Sequence, residues 1–219
     1  MAEHVIEVKD LVKKYNGRKA VLDGVSFSVD ESEFVMICGK SGCGKTTLLN
    51  ILGGLDRPTS GSVVIDGESI SALSEDDLAK MRLEKIGFVF QDFNLLMDLT
   101  VRENIALPLR FSGKPDGGRI DTMMEKFDIK PLANETANKI SGGEAQRVAI
   151  ARAMMNEPRM ILADEPTGNL DHENTVNVME MFGRVRREFD TTIMLATHDE
   201  DLRESATKRI FLSEGKARE

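Results

Sequence analysis

The eight residues Gly39–Thr46 follow the pattern G-x-x-x-x-G-K-[ST], and they constrain the fold of this chain more than any other segment. An apolar, β-branched run at Phe34–Cys38 precedes them, and Thr46–Leu52 follows with helical spacing. The glycines let successive backbone N–H groups turn towards a phosphate, and the next helix points its positive end at the same place. The segment therefore predicts a strand, a phosphate-binding loop and a helix, in that order.

We expect the loop to surround the phosphates of a nucleotide. Lys45 is long enough to reach the β- and γ-phosphates, the Thr46 hydroxyl is suited to ligate Mg²⁺, and Thr47 is placed for the α-phosphate. Taken alone, the loop fits kinases, GTPases and many ATPases equally well. The candidate nucleotide-binding residues are Gly39, Lys40, Ser41, Gly42, Cys43, Gly44, Lys45, Thr46 and Thr47.

A second apolar strand ends in two carboxylates. Met160–Ala163 is uninterrupted and apolar, and Asp164 and Glu165 follow it directly. Open α/β sheets bind ligands at the carboxyl ends of their strands. Asp164 therefore suits the shell of a Mg²⁺ ion, and Glu165 suits a general base that polarises an attacking water. A lone Asp-Glu pair is usually a solvated turn, but the phosphate loop upstream favours the functional interpretation.

Apolar runs and helical patterns alternate along the chain. Apart from the two runs already described, strands are predicted at Val5–Val8, Val21–Val29, Ser62–Asp66, Gly87–Phe90, Thr192–Ala196 and Arg209–Leu212. The stretch 92–158 has helical spacing instead and reads as an insertion. This order predicts an α/β fold with a mainly parallel sheet covered on both faces. We expect a single domain over 1–219, with its core at about 1–91 and 159–219.

Charge and hydropathy narrow the class of partner. The chain has 219 residues and a formal net charge of −8, whereas proteins that grip nucleic acid backbones usually carry clustered Lys and Arg. No apolar run approaches the roughly 20 residues that cross a bilayer, and the N-terminus lacks a signal-peptide pattern. These observations predict a soluble intracellular chain that does not bind nucleic acid. Cys38 and Cys43 are expected to be reduced, with a redox role for Cys43 as the alternative.

Together with four further motifs, these segments resemble the ATP-binding subunit of ABC transporters over essentially the whole chain. Six motifs occur in the order typical of that family, which is far more specific than any one of them. Gly39–Thr46 is similar to the Walker A loop and Ile161–Glu165 to Walker B. The others are the Q-loop glutamine Gln91, the signature Ile140–Glu144, the D-loop Gly168–Asp171 and the switch histidine His198.

The resemblance implies a fold and a role for each motif. The fold is that of a P-loop NTPase of the RecA-like kind, with an N-terminal antiparallel β subdomain and an inserted α-helical subdomain. Glu165, His198 and Gln91 are the implied catalytic residues, and Thr46, Gln91 and Asp164 the implied Mg²⁺ ligands. The implied contacts with the ATP of a partner subunit come from Ser141, Gly142, Gly143 and Glu144, with Asp171 in the D-loop.

Four of the residues that the resemblance assigns to the site also have a plain structural alternative. Taken alone, Gln91 also fits a polar residue at the end of a strand, and a lone histidine such as His198 is more often a surface residue. Tyr15 falls where the family places an aromatic that stacks on adenine, but it also fits an ordinary aromatic in a turn. Ser141 begins a predicted helix, and Ser141 with Glu144 also fits a simple helix cap. The general form of the signature has Leu and Gln where this chain has Ile140 and Glu144, and Ser32 stands where the family usually has Gly.

A finer likeness points to one branch of the family. The segments Gly53–Gly61, Gly87–Leu96 and Ala163–Asp171 resemble lipoprotein-releasing, macrolide-exporting and cell-division ATPases. The branch implies an ATP-dependent homodimer at the cytoplasmic face of the inner membrane, attached to integral membrane subunits with a large extracytoplasmic domain. The alternatives are an ATPase that regulates cell-wall remodelling without transport and a soluble ABC-type ATPase of DNA repair or translation. A P-loop kinase leaves the signature unexplained.

Overall fold

The computed structural model describes residues 4–16, 19–199, 202 and 205–218. Its strands are β1 (Ile6–Lys13), β2 (Leu22–Val29), β3 (Phe34–Cys38), β4 (Ser60–Ile65), β5 (Glu68–Ser69), β6 (Ile86–Phe90), β7 (Met160–Asp164), β8 (Thr192–Thr197), β9 (Lys208–Ser213) and β10 (Lys216–Arg218). Its α-helices are α1 (Lys45–Leu52), α2 (Glu75–Lys85), α3 (Val101–Ser112), α4 (Arg119–Lys126), α5 (Gly142–Ala153) and α6 (His172–Phe189).

The strands form two sheets. The smaller sheet has the order β2-β1-β4-β5 and is antiparallel. The larger sheet has the order β10-β9-β3-β8-β7-β6, and its strands are parallel except for β10, which returns from β9 through a tight turn. Because β3 lies in the middle of the larger sheet, the loop that follows it opens at the centre of the sheet edge.

The larger sheet is covered on both faces, which explains why its central strands are mainly apolar. Along β3, Phe34 and Met36 pack with the helical insertion 92–158 and with α6. Val35 and Ile37, on the other face, pack with α1 and the smaller sheet. All five residues of β3 and all six of β8 are buried. Parallel sheets carry helices or other layers on both faces for this reason.

Two of the three α-helices of the insertion, α3 and α5, begin at a residue whose side chain satisfies a free backbone N–H group. Thr100 caps α3 and Ser141 caps α5, and both form a capping box with the Glu three residues later. Ser74 likewise accepts a hydrogen bond from the backbone N–H of Asp77 at the start of α2. Such caps stabilise a helix by about 0.5–2 kcal/mol each.

The predicted fold class is confirmed, and the differences lie at the ends of elements. The sequence predicted a strand only over Val5–Val8, but β1 continues to Lys13 because it pairs on both sides, with β2 and with β4. The short edge strands β5 and β10 were not predicted, since two or three residues carry no periodicity. Among the described residues, no helix has the length and apolar character needed to cross a bilayer.

Candidate active site

Four adjacent parallel strands bring the predicted site residues to one edge of the larger sheet. Cys38 at the end of β3 is paired in register with Thr197 of β8, and Asp164 at the end of β7 is paired with Phe90 of β6. The residues that follow these strands are the phosphate loop, His198, Glu165 and Gln91. Sequence positions from 39 to 198 therefore meet at a single edge, as the strand directions require.

The phosphate loop ends in a helix whose N-terminus is open. Gly44 precedes α1 with φ 110°, a left-handed conformation that suits glycine, and no side chain caps the helix. A Cβ at Gly44 would also lie 3.0 Å from the Leu22 side chain and 3.1 Å from the Val21 carbonyl. The first backbone N–H groups of α1 are therefore available to an anion such as a phosphate.

Lys45 is buried at this helix start and points back into the loop. Its Nζ donates to the carbonyl of Gly39 at 2.9 Å and lies 3.3 Å from Oε1 of Glu165. The Lys45 side chain is 6% exposed and that of Glu165 is 18% exposed. A second, longer hydrogen bond goes to the Lys40 carbonyl at 3.5 Å. A buried ammonium held by two carbonyls and one carboxylate is poised to exchange these contacts for phosphate oxygens.

Asp164 and Thr46 supply the oxygen atoms that a divalent cation needs. Burial raises the pKa of Asp164, and the hydrogen bond with the Thr46 hydroxyl opposes that shift only in part. The buried Oδ1 of Asp164 has no hydrogen-bond partner among the described residues. A hard cation prefers oxygen ligands and would satisfy this atom, so the residues present fit Mg²⁺.

Glu165 occupies a strained backbone conformation next to His198. Its φ is 47°, in the left-handed region that non-glycine residues rarely adopt, and its carboxylate Oε2 accepts a hydrogen bond from Nδ1 of His198 at 2.7 Å. Such strain costs about 1–3 kcal/mol and concentrates at functional sites. The His198 side chain is 66% exposed, so the pair lies at the mouth of the pocket. The arrangement suits a carboxylate base whose position an imidazole holds.

Gln91 is engaged by the loop after β7. Its Nε2 donates to Oδ1 of Asn169 at 3.2 Å, and Nδ2 of Asn169 donates to the Gln91 carbonyl at 3.2 Å and to Asp92 at 3.1 Å. A Cβ at Gly168 would lie 3.0 Å from Nε2 of Gln91, so a glycine suits this approach. The sequence placed Asn169 in the D-loop but did not predict its contact with Gln91, because the two residues are 78 positions apart.

Tyr15 lies beside the nucleotide pocket without lining it. Its hydroxyl donates to Oδ2 of Asp56 at 2.6 Å and also has a hydrogen bond with Thr47, which lines the pocket. The ring is 41% exposed. This position is compatible with a platform for a base, and no sequence pattern pointed to Asp56 as its partner.

The signature residues lie elsewhere. None of Ser141, Gly142, Gly143 and Glu144 is among the described residues that line the pockets around the phosphate loop. Ser141 and Gly142 are exposed, and Gly143 is buried with its Cα against Asn174 of α6. Asp171 caps α6 by accepting from the backbone N–H of Asn174 at 2.8 Å. The site residues of this chain therefore lie in three places: in or beside the pocket, at the start of α5 and at the start of α6.

Cys38 and Cys43 lie at the start of the loop and are not joined in a disulfide. Cys38 is buried and Cys43 is partly buried, as the sequence predicted. Both line the outer part of the cleft, together with Ser41 and His198.

The comparisons with known proteins agree with this geometry. A family model described as ABC transporter matches residues 22–168. The chain belongs to the ABC transporter family. It is 44% identical over 211 residues to the lipoprotein-releasing system ATP-binding protein LolD 1 of Chlorobium chlorochromatii (strain CaD3), with 94% of this chain and 86% of the relative covered.

Solved structures of ABC cassettes share the fold. The dimeric structure of MJ0796, a bacterial ABC transporter cassette, has a TM-score of 0.88 and 40% identity, covering 98% of this chain and 97% of that one. A dimeric post-hydrolysis structure of MJ0796 bound to ADP and Pi has a TM-score of 0.88, 39% identity and the same coverage. The chain is accordingly an ATP-binding subunit of an ABC transporter and an ATPase.

Proposed function

We propose that two copies of this chain close head to tail around MgATP and thereby move a membrane partner. The observation that carries the proposal is the position of Glu165 at the phosphate loop, with its carboxylate 3.3 Å from Nζ of Lys45 and 2.7 Å from Nδ1 of His198. The signature residues lie outside this pocket. Each signature would complete the site of the other copy. The dimeric MJ0796 cassettes support this assembly.

Within each site, different residues of the chain bind the nucleotide, hold Mg²⁺ and activate water. The loop N–H groups and Lys45 bind the phosphates, Thr46 and Asp164 hold Mg²⁺ with Gln91, and Tyr15 stacks on adenine. Bound there, Mg²⁺ neutralises charge on the β- and γ-phosphates. Glu165 takes the proton of the attacking water, and His198 holds the carboxylate in place.

The described surface also offers a place for a membrane partner. An apolar groove runs between β6 and α3, and Phe111 at its rim is 75% exposed. Exposed apolar side chains around a groove are typical of protein interfaces. We assign this groove to integral membrane subunits with a large extracytoplasmic domain, at the cytoplasmic face of the inner membrane.

The 44% identity to a lipoprotein-releasing ATPase supports lipoprotein release, or the related export of peptides or drugs, as the activity that ATP hydrolysis drives. The division into a core at about 1–91 and 159–219 and a helical subdomain at 92–158 belongs to this proposal.

Substitution of the base tests the ATPase part of the proposal. Glu165→Gln keeps the side-chain shape but cannot accept the proton, so hydrolysis should fall by about 10²–10⁴-fold while MgATP still binds. Light scattering after size exclusion should then show an ATP-dependent dimer. Glu173→Gln, on the exposed first turn of α6, is the matched control. Normal turnover in Glu165→Gln would overturn the assignment of the base.

A second experiment tests the membrane part. Phe111→Asp places a charge on the groove, and Val176→Asp places one on an exposed apolar position of α6 that is 42% exposed. We expect the first variant to lose the membrane subunits that co-purify with the unaltered chain and the second to keep them. Equal retention in both variants would remove the groove as the docking surface.

A further inference from the structure

A cluster of three side chains holds Tyr15 in place. Asp56 follows α1, and its Oδ2 accepts from the Tyr15 hydroxyl at 2.6 Å while its Oδ1 lies 2.5 Å from Nζ of Lys13. The same Nζ donates to the carbonyl of Arg57 at 2.7 Å. Both carboxylate oxygens of Asp56 are therefore occupied, one by the phenol and one by the ammonium.

Lys13 also occupies one face of the tyrosine ring. Its Nζ lies 4.7 Å from the ring centroid, within the range of a cation–π contact, and Lys13 is only 8% exposed. Because a ring has two faces, an adenine base can stack only on the other one. The hydrogen bond to Asp56 limits displacement of the ring as a whole, and the contact with Lys13 on one face disfavours rotation of the ring about its long axis.

The cluster is tied to the nucleotide pocket at two further points. Thr47 lines the pocket and shares a hydrogen bond with the Tyr15 hydroxyl. Val21 also lines the pocket, and its backbone N–H donates to the Lys13 carbonyl at 2.8 Å. The segment that carries Tyr15 is thus held against the pocket from both sides.

We infer that Asp56, with Lys13, is a positioning residue that presents the ring of Tyr15 to the nucleobase and so contributes to the affinity for adenine nucleotides. The inference rests on the proposed role of Tyr15 in stacking on adenine. Asp56 acts through Tyr15 and does not touch the phosphates. Ionisation agrees with this geometry, since burial together with the hydrogen bond to Asp56 raises the pKa of Tyr15 and keeps the donating hydroxyl protonated.

The test compares a ligand with a base to one without. MgADP carries adenine, magnesium pyrophosphate does not, and neither is hydrolysed by the ATPase reaction. Asp56→Asn leaves one acceptor oxygen for two donors, the Tyr15 hydroxyl and the Lys13 ammonium, and removes the negative charge. Tyr15→Phe removes the hydroxyl itself. Each change loosens the cluster and should weaken MgADP by about three- to tenfold, the range for partial loss of an aromatic stacking contact. The double variant should be no weaker than either single one. Pyrophosphate affinity should change by less than about twofold, as expected when no phosphate contact is lost.

The chain offers an optical readout and a matched control. It has one tyrosine and no tryptophan, so tyrosine emission reports on Tyr15 alone. In the unaltered chain MgADP should change this emission and pyrophosphate should not, and Asp56→Asn should diminish the MgADP response. Asp121→Asn removes another carboxylate held by a cation, Arg102, on the helical segment, and should leave both affinities as they are.

Each outcome decides one claim. Equal weakening of MgADP and pyrophosphate in Asp56→Asn, multiplicative effects in the double variant, or no effect of Asp56→Asn would overturn the positioning role. Tyr15→Ala separates this failure from that of the proposed function: a weaker MgADP complex in Tyr15→Ala with an unaffected Asp56→Asn removes only the inference. Unchanged MgADP affinity in Tyr15→Ala removes the stacking role itself.

Discussion

Two helix N-termini of this chain are candidate phosphate sites, and they are built in opposite ways. The start of α1 has no side-chain cap, holds a buried ammonium and adjoins the partly buried Asp164, whose Oδ1 has no hydrogen-bond partner among the described residues. The start of α5 is capped by Ser141 and closed by Glu144, and Ser141 is exposed. The start of α1 has unpaired polar groups that a ligand would pair, at a cost in stability to the unliganded protein. The polar groups at the start of α5 are already hydrogen-bonded within the capping box.

Asp164 in the pocket and Glu144 at the start of α5 differ in the direction in which their pKa is shifted. Burial raises the pKa of Asp164, while the hydroxyl and backbone N–H of Ser141 lower the pKa of Glu144. The carboxylate of Glu144 accepts both donors at 2.7 Å. A phosphate that approaches Ser141 must therefore redirect its hydroxyl away from Glu144. The start of α5 is therefore already folded before a second copy meets it, as the proposed head-to-tail dimer requires.

The largest expected effect is in the pocket, with Asp164→Asn. Turnover should fall by at least about 100-fold, because a Mg²⁺ ligand becomes neutral. Yet the nucleotide-free protein should melt higher at pH 7. Since the folded pKa is raised, the ionised carboxylate opposes folding as pH rises through the folded pKa, and this penalty is absent below the ordinary pKa of the group.

Thermal unfolding without Mg²⁺ checks this expectation. An increase of about 2–4 °C corresponds to roughly 1 kcal/mol for a domain of this size. The increase should vanish at a pH below the usual carboxyl range. A lower melting temperature at pH 7 would mean that the ionised Asp164 carboxylate stabilises the unliganded fold. The start of α1 would then resemble the start of α5 in having its polar groups already paired.

The next effect separates the two glycines of the signature. A Cβ at Gly143 would lie 2.2 Å from Oδ1 of Asn174, whereas at Gly142 the nearest atoms, in Leu170 and Phe93, would be at 3.6 and 3.7 Å. Gly143→Ala should destabilise the fold by about 1–3 kcal/mol through overpacking, and Asn174→Ala should restore most of the loss. Gly142→Ala should fold normally but lose turnover, because in the proposed dimer it adds a methyl group to the exposed surface that the phosphate of the other copy would approach.

Melting temperature and steady-state ATPase rates distinguish the pair. Equal destabilisation by both alanines would show that the two glycines serve the monomer fold alone. Full turnover in Gly142→Ala would show that nothing approaches the start of α5 closely.

The smallest effect concerns the cap itself. Glu144→Ala should lower stability at pH 7 by about 0.5–2 kcal/mol, the usual contribution of a helix cap, whereas Glu144→Gln should keep the box and most of that stability. Because the folded pKa of Glu144 is lowered, its contribution is present above the unfolded pKa and is lost as pH falls through the folded pKa. Urea denaturation at pH 7 and at about pH 3 measures the difference; a larger effect at the lower pH would contradict this account.

The fold and the pocket could be predicted largely from local patterns. The phosphate loop, the strand before Asp164 and the cap of α2 by Ser74 each depend on neighbouring residues, and the structure has all three. The contacts of Asp56 with Tyr15 and of Asn169 with Gln91 join positions 41 and 78 apart, and no local pattern signals them. The short edge strands β5 and β10 were not predicted for a related reason, because pairing with a neighbouring strand defines them and their own composition does not.

The central claim is that the signature of one copy completes the site of the other. Ser141→Arg in a Glu165→Gln background tests it most directly, by measuring MgATP affinity and molar mass on the same samples, with circular dichroism to confirm the fold. We expect the double variant to bind MgATP as a monomer with the affinity of the isolated site and to form no dimer at any ATP concentration. Loss of monomer binding, which would place Ser141 in its own chain's site, or an intact ATP-dependent dimer would contradict it.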